Sequence, residues 1–242
     1  MKRRIVAAAF GALNHGLFSV GVALMFFGLW SGMSTGFGTA RGLWALVANG
    51  LLVLQFPIVH SFFLTTTGRR LLGRLAPADM ARDLAPTLYT SLASFQLIIV
   101  FACWSPTHVT LVELPGVLRT ISALAYLTAW GLLLKSMADA GLGLQTGLSG
   151  WWAVFRGRQV RYPGLPTKGL FRVCRQPIYL SFALVTWFGP AWTVDKLWVA
   201  SVLTTYCIVG PLLKEARYAR IFGRAFEEYR EAVPYLIPWR SR

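Results

Sequence analysis

The chain has 242 residues, of which 55% are hydrophobic and only 14% are charged. Soluble domains carry about 25% charged residues, so this composition excludes an ordinary soluble globule, a disordered chain and a fibrous repeat. The 24 lysines and arginines outnumber the 9 acidic residues, for a net charge of +15. Because the basic residues lie between long apolar stretches, we predict an all-α integral membrane protein embedded in a lipid bilayer, not a nucleic-acid-binding protein.

Six apolar stretches reach, or nearly reach, the roughly 20 residues that a helix needs to cross the hydrocarbon core. In chain order they cover residues 5–30, 42–68, 84–112, 114–134, 176–194 and 197–213. Asp195 and Lys196 separate the last two stretches, and Gly189-Pro190 comes just before them. Since proline cannot continue a helix without losing a hydrogen bond, we predict that residues 178–213 form a tight helical hairpin.

The distribution of basic residues predicts the orientation of these spans. With six spans and a cytoplasmic N-terminus, only Arg41, Arg119 and Lys196 among the 24 basic residues fall outside. The first stretch is too long for the core of a cleaved signal peptide, so we expect it to be retained. We therefore predict about six transmembrane helices in a bacterial inner membrane, with both termini cytoplasmic.

Two segments near the C-terminus are not membrane-like. Residues 136–175 begin with four glycines within residues 141–150 and continue into a basic stretch. The tail from Lys214 to about Arg230 has the pattern of a cytoplasmic amphipathic helix. Both flank the hairpin, and we expect them to meet at its cytoplasmic end. The predicted organisation is a four-span scaffold, residues 1–135, followed by a cofactor-binding core, residues 136–242. The spacing of the cysteines and histidines predicts no metal site.

An ordered series of short motifs runs through the last third of the chain. They are Gly169-Leu170-Phe171, Arg175-Gln176-Pro177-Ile178-Tyr179, Lys214-Glu215, Phe222-Gly223, Phe226, Tyr229, Val233-Pro234 and Ile237-Pro238. In this order and spacing, residues 167–238 resemble the catalytic core of the isoprenylcysteine carboxyl methyltransferase-like superfamily of integral membrane methyltransferases. A Q-x-x-x-x-H-S pattern at residues 55–61 and the Trp104-Ser105-Pro106 turn extend the resemblance to the bacterial branch of methanethiol S-methyltransferases and NnrU-type proteins.

The resemblance implies an enzyme that uses S-adenosylmethionine and methylates a small thiol or a lipophilic acceptor reached from the bilayer. It implies that the hairpin and the tail enclose the cofactor near the cytoplasmic face. Arg175 and Glu215 are the implied catalytic residues, since a guanidinium pairs with carboxylates and a carboxylate accepts from amino or ribose groups. The implied cofactor-binding residues are Gln176, Pro177, Tyr179, Glu215 and Tyr229.

The chain departs from the family pattern at two positions. The family histidine is Gln176, which can donate and accept hydrogen bonds but cannot act as a base, and the first glutamate of the family pair is Lys214, which reverses the charge. Two alternatives stay open, and the departures at Gln176 and Lys214 motivate the second of them. One is an NADPH-dependent sterol-type reductase, whose C-terminal region has a related Arg-x-Pro-x-Tyr pattern, and the other is a non-catalytic membrane accessory protein of the same fold.

Overall fold

The computed structural model describes residues 1–238 and is mostly helical. Arg240 and Arg242, which the orientation prediction assigns to the cytoplasmic side, lie outside the described residues. The helices in chain order are α1 (Lys2–Trp30), α2 (Gly42–Phe62), α3 (Thr66–Gly73), α4 (Ala81–Ala102), α5 (Gly116–Asp139), α6 (Leu142–Gln145), α7 (Leu148–Phe155), α8 (Pro177–Trp187), α9 (Val194–Phe222) and α10 (Arg224–Ala232). A short 3₁₀ turn covers Gly169–Arg172, and two short strands, β1 (Thr110–Val112) and β2 (Trp192–Thr193), complete the fold.

Within the described residues, five helices are long and apolar enough to cross a membrane, namely α1, α2, α4, α5 and α9. They correspond to five of the six predicted stretches. The remaining stretch forms α8, which is apolar but has only 11 residues, a rise of about 16 Å. Helix α8 ends at Trp187 because Gly189-Pro190 follows, and the residue before a proline disfavours helical backbone. The count of six crossings stays a prediction.

The chain divides into two compact units that are interleaved along the sequence. Unit 1 comprises Met1–Gly28, Met33–Thr107 and Leu142–Tyr162, and unit 2 comprises Leu29–Gly32, His108–Gly141 and Pro163–Arg242. Helix α5 therefore groups with the C-terminal region, and α6 and α7 group with the N-terminal region. The predicted boundary at residue 135 separates a membrane scaffold from a cofactor-binding core. It is a functional division, and it stays a prediction.

Unit 1 is held together by an apolar cluster and by a few polar contacts. The buried apolar cluster consists of Ala7, Leu72, Met80, Leu84, Leu88 and Val154. The Nδ2 of Asn14 in α1 donates to the Thr146 carbonyl at 2.8 Å, and the indole Nε1 of Trp151 donates to Nε2 of His15 at 3.0 Å. These polar side chains of α1 thus tie α7 and the residues just before it to the first helix.

Unit 2 places α8 against both α5 and α9. At one end, β1 and β2 pair antiparallel, with Thr110 opposite Thr193, and α5 and α9 begin just after these strands. At the other end, the Asp139 carboxylate at the end of α5 accepts a hydrogen bond from the Leu170 backbone N–H at 2.8 Å. The 3₁₀ turn, the start of α8 and the second half of α9 therefore lie together.

Helix α9 differs in two ways from the sequence prediction. The predicted tail helix starts at Lys214, whereas α9 continues without a break to Phe222 and ends at Gly223, whose φ of +52° favours glycine. The second difference is Lys196, which the prediction places in an outside turn. Its side chain is fully buried, and its Nζ donates to the Phe188 carbonyl at 2.7 Å.

Candidate functional site

Arg175 and Glu215 lie 40 residues apart in the chain and form a bidentate ion pair in unit 2. The Arg175 Nε lies 2.9 Å from Oε1 of Glu215, and Nη2 lies 3.1 Å from Oε2. The two side chains are only 10% and 11% exposed. Paired charge-assisted hydrogen bonds fix the relative orientation of the two groups, so the two residues predicted to be catalytic are held together in one geometry.

Arg175 also joins the start of α8 to the C-terminal segment. Its Nη1 donates to the carbonyls of Arg230 at 2.9 Å and Val233 at 2.6 Å, and its backbone N–H donates to the Pro234 carbonyl at 2.9 Å. A cation near the last carbonyls of a helix is favourable. The guanidinium has five N–H donors, and four of them are used within the chain.

Gln176 links the carboxylate of Glu215 to the ammonium of Lys214. Its Nε2 donates to Oε1 of Glu215 at 2.7 Å, and its Oε1 accepts from Nζ of Lys214 at 2.8 Å. The amide orientation follows from its neighbours, since an ammonium only donates and a carboxylate only accepts. Taken as whole residues, Gln176 is 1% exposed and Glu215 is 9% exposed. The two departures from the family pattern, Gln176 and Lys214, are therefore in direct contact.

Three aromatic rings surround the Lys214 ammonium. The Nζ lies 5.9 Å from the ring centre of Phe171, 5.4 Å from that of Tyr179 and 5.5 Å from that of Tyr218. Tyr218 follows Lys214 by four residues, which places both on one face of α9. The other two rings come from the 3₁₀ turn and from the first turn of α8. We call Phe171, Tyr179 and Tyr218 the aromatic cage.

The remaining predicted site residues support these groups. Pro177 is the buried first residue of α8, where its missing N–H costs nothing. The Tyr229 hydroxyl donates to the Phe171 carbonyl at 2.7 Å and so attaches α10 to the 3₁₀ turn. Burial raises the pKa of Tyr229, which keeps the phenol protonated as a donor. Burial likewise raises the pKa of the Cys174 thiol, so this cysteine is not a ready thiolate.

Comparison with known proteins places this arrangement in context. The chain is 28% identical over 198 residues to methanethiol S-methyltransferase 1 of Bradyrhizobium diazoefficiens, covering 81% of this chain and 68% of that protein. It is 29% identical over 195 residues to a methanethiol S-methyltransferase of Crocosphaera subtropica, covering 80% and 74%. A Mycobacterium tuberculosis protein of the same name is 28% identical over 200 residues, covering 82% and 80%. The chain is thus similar, over about 80% of its length, to proteins named methanethiol S-methyltransferase.

This relationship confirms the resemblance that the motifs indicate, to the isoprenylcysteine carboxyl methyltransferase-like superfamily and its methanethiol S-methyltransferase branch. No family model and no solved structure matches the chain. Sequence reasoning selected Arg175, Gln176 and Glu215, which meet, but it did not select Phe171 or Tyr218. The four-residue spacing that puts Lys214 and Tyr218 on one face of α9 was the sequence signal that could have identified Tyr218.

Proposed function

We propose that this chain is an integral membrane methyltransferase that uses S-adenosylmethionine and methylates methanethiol or another small thiol. One observation carries the proposal. Two motifs about 40 residues apart, selected because they resemble a methyltransferase core, converge as the buried Arg175–Gln176–Glu215 cluster at one end of unit 2. The relatives that bear a methanethiol S-methyltransferase name supply the reaction class and the acceptor.

The residues of the cluster fit the chemical groups of the proposed donor. Beyond their contacts within the chain, the oxygens of Glu215 and Gln176 keep lone pairs and the Gln176 amide keeps one N–H, which suit amino and hydroxyl groups. The aromatic cage is suited to a positively charged sulfonium. Arg175 retains one donor, so we assign it chiefly the positioning of Glu215. When bound, S-adenosylmethionine supplies a methyl group activated for displacement, and the protein has to orient the reactants and exclude water.

A thiol acceptor needs little help from a base. The thiolate is the nucleophile, and an ordinary thiol has a pKa of about 8.5, so part of it is ionised near neutral pH. The guanidinium of Arg175 and the ammonium of Lys214 lie near the buried carboxylate and raise the local positive potential, which favours a thiolate. The presence of glutamine rather than histidine at residue 176 is compatible with this chemistry.

We propose that six segments cross the bilayer, although α8 alone is too short. Glu215 lies 21 residues beyond Val194 in α9, or about 32 Å along the helix, which matches the roughly 30 Å hydrocarbon thickness. Helix α8 rises about 16 Å, and the six non-helical residues 188–193 add at most about 20 Å. Helix α8 and residues 188–193 together are therefore long enough to cross the roughly 30 Å hydrocarbon core.

Side chains satisfy three backbone groups at the start of the non-helical part of this crossing. The Ser122 hydroxyl accepts from the Gly189 N–H at 3.1 Å and donates to the Gly189 carbonyl at 2.8 Å. Lys196 donates to the Phe188 carbonyl. Irregular backbone at membrane depth is tolerated where protein groups pair with it. With the basic residues counted as above, this topology puts both termini and the Arg175–Glu215 cluster on the cytoplasmic side of a bacterial inner membrane.

Ligand titration tests the proposal against its alternatives. Purified protein in a maltoside detergent is titrated with S-adenosylmethionine and, separately, with NADPH, by calorimetry. We expect S-adenosylmethionine to bind, and Glu215→Gln to weaken this binding at least tenfold. NADPH binding without S-adenosylmethionine binding would support the reductase, and binding of neither would support an accessory protein.

An activity assay then tests the acceptor. Membranes that contain the protein are given S-adenosylmethionine with a labelled methyl group and a panel of thiols and lipids. We expect labelled dimethyl sulfide in the headspace when methanethiol is supplied. The double variant Gln176→His with Lys214→Glu, which restores the family pattern, provides the matched comparison.

A further inference from the structure

The aromatic cage holds a cation that belongs to the chain itself. The Lys214 Nζ lies between 5.4 and 5.9 Å from three ring centres, within the roughly 6 Å range of a cation–π contact. These rings come from three separate segments, the 3₁₀ turn, α8 and α9. Rings from several segments around one cation have the arrangement of the aromatic cages that recognise methylated ammonium ligands.

A lysine ammonium is not the cation that such a cage binds best. It is compact and strongly hydrated, so its transfer to an apolar site is costly. A methylated cation carries its charge under methyl groups and is less hydrated, which is why aromatic cages recognise quaternary ammonium ligands. A sulfonium with three carbon substituents has the same character. The aromatic cage is therefore better matched to a sulfonium than to the Lys214 ammonium.

Among the described contacts, the Lys214 ammonium is held in the cage by a hydrogen bond to Oε1 of Gln176 at 2.8 Å. Its carboxylate neighbour, Glu215, is committed to Arg175 and to the amide of Gln176. Lys214 is only partly buried, and its four-carbon stem is flexible. Displacement of the ammonium therefore breaks its hydrogen bond to Gln176 and leaves the ion pair between Arg175 and Glu215 intact.

We propose that the aromatic cage is a subsite for a methylated cation, and that the Lys214 ammonium competes for it from within the chain. The identity of the ligand, the sulfonium of S-adenosylmethionine, rests on the function proposed above. In this arrangement a sulfonium has to displace the ammonium or lie beside it. The neutral thioether S-adenosylhomocysteine has no charge to be repelled and gains little from the rings.

The inference predicts that Lys214 reduces the preference for the charged ligand. Calorimetric dissociation constants are measured for S-adenosylmethionine and S-adenosylhomocysteine with wild type, Lys214→Met and Lys214→Ala. Both variants should bind the sulfonium about tenfold more tightly than wild type, and should change the affinity for the thioether by less than about threefold. Arg220→Met is the matched control, because Arg220 is an exposed cation of the same helix that bonds only to the Ala216 carbonyl in the described contacts. It should change neither affinity.

A second variant tests the rings rather than the charge. Tyr218→Leu in the Lys214→Met background should abolish the gain in sulfonium affinity and leave thioether binding within about threefold. Equal gains for both ligands in Lys214→Met, or no gain for either, would overturn the inference while leaving the proposed function intact. Failure of every variant to bind either nucleoside would overturn the proposed function.

A minimal probe separates these two failures. Trimethylsulfonium has the charge of the proposed ligand without its nucleoside, so its binding does not depend on the proposed function. Saturation-transfer NMR should detect it with Lys214→Ala and not with Lys214→Ala combined with Tyr218→Leu. The absence of this difference would overturn the cage as a cation site. A maltoside detergent is required, because the trimethylammonium group of a phosphocholine detergent or lipid has the same chemistry and would compete for the site.

Discussion

Separating Arg175 from Glu215 perturbs the contact on which the candidate site depends. Glu215→Leu leaves a guanidinium that is only 10% exposed without its carboxylate. Removing one partner of a buried ion pair costs about 3–5 kcal/mol. Arg175 keeps the carbonyls of Arg230 and Val233, which limits the loss from the ion pair to about 3 kcal/mol. The buried amide of Gln176 also loses its acceptor, at about 1 kcal/mol, so we expect a total loss of about 4 kcal/mol. Arg175→Met also loses those two bonds, at about 1 kcal/mol each, and should cost about 5 kcal/mol.

The double variant Arg175→Met with Glu215→Leu leaves no uncompensated charge in this pair. It loses the two carbonyl contacts and the hydrogen bond from Gln176 to Glu215, so it should cost about 3 kcal/mol. The double-mutant cycle should then give a coupling free energy of about 6 kcal/mol. The assay is unfolding by sodium dodecyl sulfate from maltoside micelles, followed by far-ultraviolet circular dichroism.

The chain contains its own control for this cycle. Arg224 and Glu228 form an ion pair of 2.8 Å, but their side chains are 92% and 63% exposed. An exposed pair at this spacing contributes about 0.3–0.5 kcal/mol. If the Arg175–Glu215 cycle gave a coupling no larger than that of Arg224–Glu228, the buried bidentate pair would not exist in the folded protein.

Three further results are expected. Ser122→Ala should cost about 1–3 kcal/mol of unfolding free energy, because it leaves the N–H and the carbonyl of Gly189 without their partner. The control Thr128→Ala removes an exposed hydroxyl from the same helix and should cost less than about 0.5 kcal/mol. Gly169→Ala should destabilise unit 2 by more than about 1 kcal/mol, because the position has a φ of +59° and the new Cβ would clash with the Asp139 carboxylate. The loss of unfolding free energy is measured by circular dichroism during unfolding. Burial raises the pKa of the Cys174 thiol, so iodoacetamide at pH 8 should modify the exposed Cys103 first, and the slower reaction of Cys174 should accelerate as the pH rises above about 9.

Each of these has a result that would contradict it. Equal losses for Ser122→Ala and Thr128→Ala would mean that the non-helical segment does not depend on the serine. Gly164→Ala, at a position where a Cβ meets nothing, should be neutral, and a matching loss there would remove the steric explanation for Gly169. Simultaneous labelling of Cys103 and Cys174 at pH 8, judged by mass spectrometry, would contradict the burial of Cys174.

The apolar pattern predicted the helices well but not where they end. Charge indicates where a chain can leave the hydrocarbon, and for this reason Lys214 looked like the start of a new segment. A helix, however, ends where the backbone requires it, and in α9 that position is Gly223. Lys196 shows the converse. Its charge predicted an exposed turn, but a side chain that reaches the Phe188 carbonyl satisfies a non-helical backbone, which no local pattern reveals.

Part of the candidate site could be predicted from the sequence. Motif order brought together Arg175, Gln176 and Glu215, because the resemblance carries information about residues distant in sequence. The aromatic cage was not predictable, since the chain contains 16 phenylalanines, 8 tyrosines and 10 tryptophans and most of them suit a membrane protein anyway. Only the packing of the 3₁₀ turn, α8 and α9 selects the three rings that meet Lys214.

Cross-linking of the donor to the protein tests the central claim most directly. Purified protein in maltoside is irradiated with S-adenosylmethionine that carries a labelled methyl group, and the labelled peptides are mapped by mass spectrometry, with excess S-adenosylhomocysteine as competitor. We expect competed label within residues 169–179 and 214–229, and its loss in Glu215→Gln. Competed label confined to residues 1–107, or label in the predicted segments that Glu215→Gln leaves unchanged, would contradict the assignment of the methyl-donor site to this end of unit 2.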